Sequence, residues 1–237
     1  MCNKKFFMVL DTETFSNYKV FDIGYSVIDR NGRIYESGSY IVDDMFTDDD
    51  LLSEFVHDSF SAKNRDVYLS AYITGSDEFK IASFEDIRDE VNEVLNRYNA
   101  TLCAYNVAFD LRALDKTTKL LLNEPKFLMK PIEILDIWAA ALSCLCPTIS
   151  YVQFATEHGF LTKTGKPRTA AEPVYCFLID EPDFEELHMG YADVLIECNI
   201  LIACFKTHKK LDKKPVGCVQ HNPYFKRTCV VQTTYVL

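Results

Sequence analysis

The pair Asn31-Gly32 stands between two apolar runs, residues 21–29 and 33–42, and constrains this chain more than any other feature. Asn-Gly is the strongest short-range hairpin signal, so the runs read as two strands of a β-hairpin. A third apolar run, residues 5–10, precedes the hairpin and stops at Asp11. Three leading strands, two of them in a hairpin, predict an antiparallel start to a mixed sheet. The period then changes. Ser83-x-x-Asp86 has the form of a capping box, and Phe84, Ile87, Val91, Val94 and Leu95 recur at helical spacing to about residue 98.

Beyond it, residues 101–105 read as a strand, followed by a helix through about residue 122. Residues 131–135 form a further strand, and Asp136 caps a helix that runs to Cys146. A helix from about residue 150 ends at Gly159, while 160–182, with Lys163-Thr164-Gly165-Lys166-Pro167-Arg168, read as a polar loop. Tyr191, Val194, Leu195, Cys198, Ile202 and Phe205 mark a last long helix. The order β-β-β-α-β-α-β-α-α-α is that of one α/β domain over residues 1–205, with 206–237 as a basic extension.

Composition narrows the class. The chain has 237 residues, 48% of them hydrophobic and 25% charged, enough to bury a real core. No run approaches the roughly 20 apolar residues of a membrane helix, and the first residues lack the apolar region of a signal peptide. Nine cysteines, an odd number without a C-x-x-C, fit buried free thiols in a reducing, cytoplasmic compartment. His208, Cys218, His221 and Cys229 could surround zinc, but their spacing matches no standard finger. The net charge is −10; residues 206–237 carry +6, which leaves −16 for the body. That balance argues against a protein that coats nucleic acid by charge alone. The basic stretch reads as a phosphate-contacting arm or a solubilising tail. The acidic run from Asp43 to Asp58 reads as helix starts on a solvated face.

Three places hold acids that a purely structural chain would not need. Asp11 and Glu13, two apart in an extended segment, share a face. Two carboxylates in one space raise each other's pKa unless a cation holds them. Alone, Asp-x-Glu is weak and reads more readily as a turn with capping acids. Asp110 lies in the apolar turn Val107-Ala108-Phe109-Asp110-Leu111, four residues after Asn106, itself a natural helix cap. Asp193 lies among apolar residues at the start of the last helix, five after His188. His188 and Asp193 would diverge by about 140° on one helix, so they converge only if the helix starts near Met189 or Gly190. A set of four carboxylates suits Mg²⁺ or Mn²⁺ rather than zinc. Two such ions, about 3.5–4 Å apart, bind the attacking and leaving oxygens of a phosphodiester. An imidazole, with an ordinary pKa near working pH, suits a general base.

Asp11-Thr12-Glu13-Thr14, Asn106-x-x-Phe109-Asp110 and His188-x-x-x-x-Asp193 together resemble the three motifs of the DnaQ-like (DEDDh) 3′-to-5′ exonucleases, over residues 6–205. The resemblance implies a ribonuclease-H-like sheet, with parallel strands after the leading three, and two Mg²⁺ ions that Mn²⁺ can replace. Carried over, Asp11, Glu13, Asp110 and Asp193 are metal ligands and His188 activates water. Thr12, Thr14, Phe15 and Asn106 fall at substrate-binding positions. Phe15 reads equally as a wedge against the terminal base or as a core aromatic. Tyr105 stands where members often have His, and Thr14-Phe15-Ser16-Asn17-Tyr18 replaces a common Thr-Gly turn. The implied activity is 3′-to-5′ trimming of single-stranded DNA. Two alternatives are an exoribonuclease, RNase T-like or oligoribonuclease-like, and a proofreading or accessory subunit that meets a polymerase or another protein through residues 206–237.

Overall fold

A computed structural model describes residues 5–59, 64–207 and 211. Strands β1 (Phe6–Phe15), β2 (Lys19–Asp29) and β3 (Ile34–Val42) form an antiparallel meander at the start of the chain. The turn between β2 and β3 is organised by Asp29, whose carboxylate accepts from the backbone N–H groups of Asn31 (2.8 Å) and Arg33 (3.2 Å). Gly32 adopts φ +84° there, which a residue with a Cβ rarely adopts. Strands β4 (Lys80–Ala82), β5 (Thr101–Ala104) and β6 (Ile134–Asp136) complete a six-stranded sheet in the order β4-β3-β2-β1-β5-β6. β4 runs parallel to β3, β5 to β1 and β6 to β5. This is a ribonuclease-H-like mixed sheet, three antiparallel leading strands followed by parallel ones, flanked by helices.

The helices fall on two faces. On one, α4 (Phe84–Tyr98) and α5 (Val107–Leu121) cover Met8, Leu10 and Ile23. On the other, α6 (Ile137–Cys144), α7 (Ile149–Glu157), α8 (Ala171–Ile179) and α9 (Gly190–Thr207) cover Phe7, Val9 and Ile28. The alternation along β1 therefore assigns each residue to a face. Among the described residues, no single helix is long and apolar enough to cross a membrane. Cys103, Cys144, Cys146, Cys176, Cys198 and Cys204 are buried free thiols.

Three expectations need correction. β1 does not stop at Leu10: its ladder with β2 continues through Asp11↔Gly24 and Glu13↔Asp22 to Phe15↔Lys19, with a bulge between Glu13 and Thr14. Residues 43–82 contain three helices and β4, which the expected element order omits. α1 (Asp44–Thr47), α2 (Asp49–His57) and α3 (Arg65–Thr74) start within or after the acidic run. Asp48 caps α2 by accepting from Asp50 N and Leu51 N, and Phe55 is buried beneath it. The expected loop 160–182 contains α8, because Pro173 lies in its first turn, where a missing N–H costs nothing. The boundary at 205 falls within the last turn of α9. Cys218, His221 and Cys229, and His208 with them, lie outside the described residues.

Candidate active site

β1 is flanked by strands on both sides, and its C-terminal half leaves the apolar core with Asp11 and Glu13 on the face of Phe7 and Val9, toward α9. Thr12 takes the opposite face, toward α5. Its hydroxyl donates to Asp110 Oδ1 at 2.9 Å, and both residues are buried. The strand thus grips the first turn of α5 while presenting its two acids to α9. The bulge after Glu13 turns the chain toward residues 16–18, a use of bulges common beside functional sites.

The start of α9 is built by close backbone contact. A Cβ on Gly24 would lie 2.4 Å from the Gly190 carbonyl carbon, so only glycine lets β2 and α9 cross here. Asp22, fully buried, accepts from Gly190 N at 2.8 Å and from the Tyr68 hydroxyl at 2.5 Å. The helix accordingly begins at Gly190, and His188 lies on the incoming segment with φ +54°. Asn64 holds that segment by donating to the His188 carbonyl at 2.7 Å and to the Leu187 carbonyl. His188 Nδ1 then stands 4.0 Å from Asp193 Oδ2 and 3.9 Å from Glu186 Oε2, with half of the side chain exposed.

The acids are crowded in a low dielectric. Burial, then the charges of Glu197, Asp110, Glu13 and Asp193, raises the Asp11 carboxyl well above the usual range. Burial, Asp22 and Glu186 push Glu13 up to about 8. Burial, Glu186, Glu13 and Asp22 push Asp193 up to about 9. Asp110 is raised by burial to about 7, against the pull of its Thr12 hydrogen bond, and burial raises Asp22 to about 6. Burial and Asp110 also raise Glu197, although it accepts from Tyr105 N at 3.1 Å. Such a cluster is at ease only when protonated or when a cation sits among the oxygens.

The donor set fits a divalent cation. Glu13, His188 and Asp193 each present a ligand atom, all within 4.8 Å of one another. Asp193 Oδ1 is buried without a hydrogen-bond donor. Asp11 and Asp110 belong to the same field of charge but not to that tight group.

Other positions divide. Asp136 caps α6 by accepting from Ala139 N (3.2 Å), and it also accepts from Asn106 N (3.3 Å). Asn106 itself has φ +70° and makes no side-chain cap bond, so its expected capping role is replaced by a left-handed turn. Tyr105 points away from the acids, its hydroxyl donating to the Thr169 carbonyl at 2.6 Å. A cavity of about 540 Å³ opens beside Glu13 and His188 and is lined by Thr14, Phe15, Tyr18 and Phe109. The Phe15 ring is almost wholly buried, edge-on to Phe55 with centroids 5.6 Å apart. The accessible aromatic surface comes instead from half-buried Tyr18 and exposed Phe109, centroids 5.4 Å apart. Sequence reasoning assigned no role to either, nor to Asp22, Glu186 and Glu197. The positive φ of Tyr18 and the acidity of a buried β2 position are signals that only the fold reveals.

No protein-family model matches the chain, and no curated protein matches it. Among solved structures, the chain is similar to the crystal structure of E. coli exonuclease I in complex with a dT13 oligonucleotide, at a TM-score of 0.52 and 14% identity. The match covers 86% of this chain but 42% of that protein, and at this identity the likeness is one of fold.

Proposed function

We propose that this chain is a divalent-cation-dependent nuclease that removes nucleotides from the 3′ end of single-stranded DNA. The observation that carries the reading is the meeting of Glu13 on β1 with His188 and Asp193 at the start of α9, their ligand atoms within 4.8 Å. Asp11 and Asp110 extend this acidic group toward α5. The fold shared with an exonuclease solved on a dT13 oligonucleotide supports DNA over RNA as the substrate.

In this reading Asp11, Glu13, Asp110 and Asp193 hold Mg²⁺, or Mn²⁺ in its place, and His188 takes the proton of the attacking water. Ions held by these carboxylates would supply Lewis-acid polarisation of the phosphodiester and offset the charge that develops on the water oxygen and the leaving oxygen. The chain's own part is positional. Thr12 fixes Asp110, Asp22 fixes the first N–H of α9, and Asn64 fixes the His188 backbone. Half-exposed His188, four ångströms from Asp193, can reach solvent and exchange the proton it accepts. Residues 1–205 are proposed as the catalytic unit, with 206–237 as an accessory extension.

The test uses 5′-labelled DNA and RNA oligonucleotides of one sequence, with Mg²⁺ and with chelator. The expected result is a Mg²⁺-dependent ladder that shortens from the 3′ end on DNA. An intact oligonucleotide at all cation concentrations, or cleavage undiminished by chelator, contradicts the reading.

A further inference from the structure

Tyr18 and Phe109 in the cavity wall adjoin a basic surface on α5. The exposed positions of α5 are Phe109, Arg112, Lys116, Lys119 and Leu120, which fall on one stripe of the helix. Phe109 is one residue before Asp110, so the stripe begins at the acidic site. It runs about 15 Å to Lys119 at 1.5 Å per residue. Tyr18, from the β1–β2 connection, leans on its first turn beside Phe109. The Lys116 ammonium sits 4.2 Å over the Tyr18 ring and donates to Asn17 Oδ1 at 3.1 Å. Arg112 lies 5.8 Å from the same ring and donates to the Tyr18 hydroxyl at 3.4 Å.

Two facts make this wall unusual. Arg112, Lys116 and Lys119 contact only neutral groups, and none pairs with a described acid, on a body with a net charge of −16. Asn17 and Tyr18 both take left-handed backbone, with φ +60° and +68°. Asn tolerates this conformation but a bulky aromatic does not, and such strain collects where a surface must present a side chain. Thr117 holds the turn by donating to the Tyr18 carbonyl at 3.3 Å and accepting from Val20 N at 3.0 Å.

We propose that Tyr18 and the exposed stripe of α5 form a track for the single strand upstream of the cleaved end. Phe109 and Tyr18 stack on bases, while Arg112, Lys116 and Lys119 meet successive phosphates. Base faces and phosphates are common to all nucleotides, so the track is indifferent to sequence. The inference rests on the nuclease reading of the site and supplies what that site lacks, a cationic path across an acidic body.

The test is fluorescence anisotropy of 5′-labelled dT12 in chelator, from about 50 to 200 mM salt. In Arg112→Glu/Lys116→Glu, affinity falls by at least about tenfold at the lowest salt. The log–log salt slope becomes shallower by about 1.4, at roughly 0.7 per lost phosphate contact on a single strand. Phe109→Ala loses about five- to tenfold at an unchanged slope, as a stacking contact should. Arg33→Glu, at the far hairpin, keeps the native affinity. An unchanged affinity and slope in the folded double variant would overturn the track, as would failure of the native protein to bind dT12. Cleavage of the p-nitrophenyl ester of thymidine 5′-monophosphate with Mn²⁺ reads the acidic site without the track. An uncleaved ester beside intact, Arg112- and Lys116-dependent binding would overturn the nuclease reading and keep the track.

Discussion

The α9 flank of the site and its α5 flank solve opposite problems. On the α9 side, Asp22, Asp193 and Glu197 are buried and Glu13 half-buried; backbone N–H groups hold Asp22 and Glu197 beside a glycine-on-glycine crossing. On the α5 side, Phe109, Arg112 and Lys116 are open to solvent and touch only neutral partners. One flank concentrates negative charge where water cannot relieve it. The other spreads positive charge where a polyanion can reach it. A phosphodiester backbone passing from one to the other would meet cationic side chains first and the cation site last.

The largest effect expected from breaking this comparison is at Asp193. Asp193→Asn should lower Mg²⁺-dependent trimming of labelled dT12 by roughly 10²–10³-fold, the scale of removing one electrostatic stabiliser of a transition state. The same substitution removes one acid from a crowd, so the chelated protein should melt at a higher temperature than native at pH 8. A variant that trims normally, or melts lower under chelation, breaks the account of this flank.

Next comes the crossing. Gly24→Ala puts a methyl group against the Gly190 backbone at 2.4 Å, and neither backbone has room to move. Urea unfolding should show a loss of about 1–3 kcal/mol. Activity should fall further, by about 10²-fold, because His188 and Asp193 shift together. An alanine variant as stable and active as native would show that the crossing positions nothing.

The pH dependence follows from the raised carboxyls. Glu13 near 8, Asp193 near 9 and Asp110 near 7 are protonated in the folded chain at pH values where the unfolded chain has lost those protons. The folded state therefore binds more protons, and stability falls as pH rises from about 5 to about 9. Thermal melts in chelator should drop across that window, and Mn²⁺ should restore more at pH 9 than at pH 5. Melting temperatures that rise with pH, or a cation effect independent of pH, would contradict the crowding.

The smallest effect is at Asn64. Asn64→Ala removes two donors to the segment that carries His188 and should cost about 1 kcal/mol in a denaturant melt. Trimming should slow several-fold without loss of dT12 binding. Wild-type turnover would leave Asn64 a purely structural tie.

The contrast between flanks also separates what the sequence made legible from what it did not. The Asn31-Gly32 hairpin, the helical period after Ser83 and the cap at Asp136 depend on neighbours in the chain, and the structure has all three. Asp11, Glu13, Asp110, His188 and Asp193 could be singled out only as a set, from three spaced motifs, of which the fold brings Glu13, His188 and Asp193 within 4.8 Å. Asp22 could not be, since its reason is a contact with Gly190, 168 residues away. Helices α1 and α2 do start in the acidic run, as helix starts, but their place in the element order was not legible there, nor was α3 after it or α8 behind prolines that read as a loop. Tyr18 and Phe109 look like ordinary aromatics until a left-handed turn brings one onto the other.

The most direct test is Mn²⁺ binding to the native protein, followed by electron paramagnetic resonance at pH 8. Glu13, His188 and Asp193 within 4.8 Å, in a field of further carboxylates, predict bound Mn²⁺ that is lost in Glu13→Gln/Asp193→Asn. A native protein that leaves Mn²⁺ free, or a double variant that binds it as tightly, would contradict the claim that these acids are gathered to hold a cation.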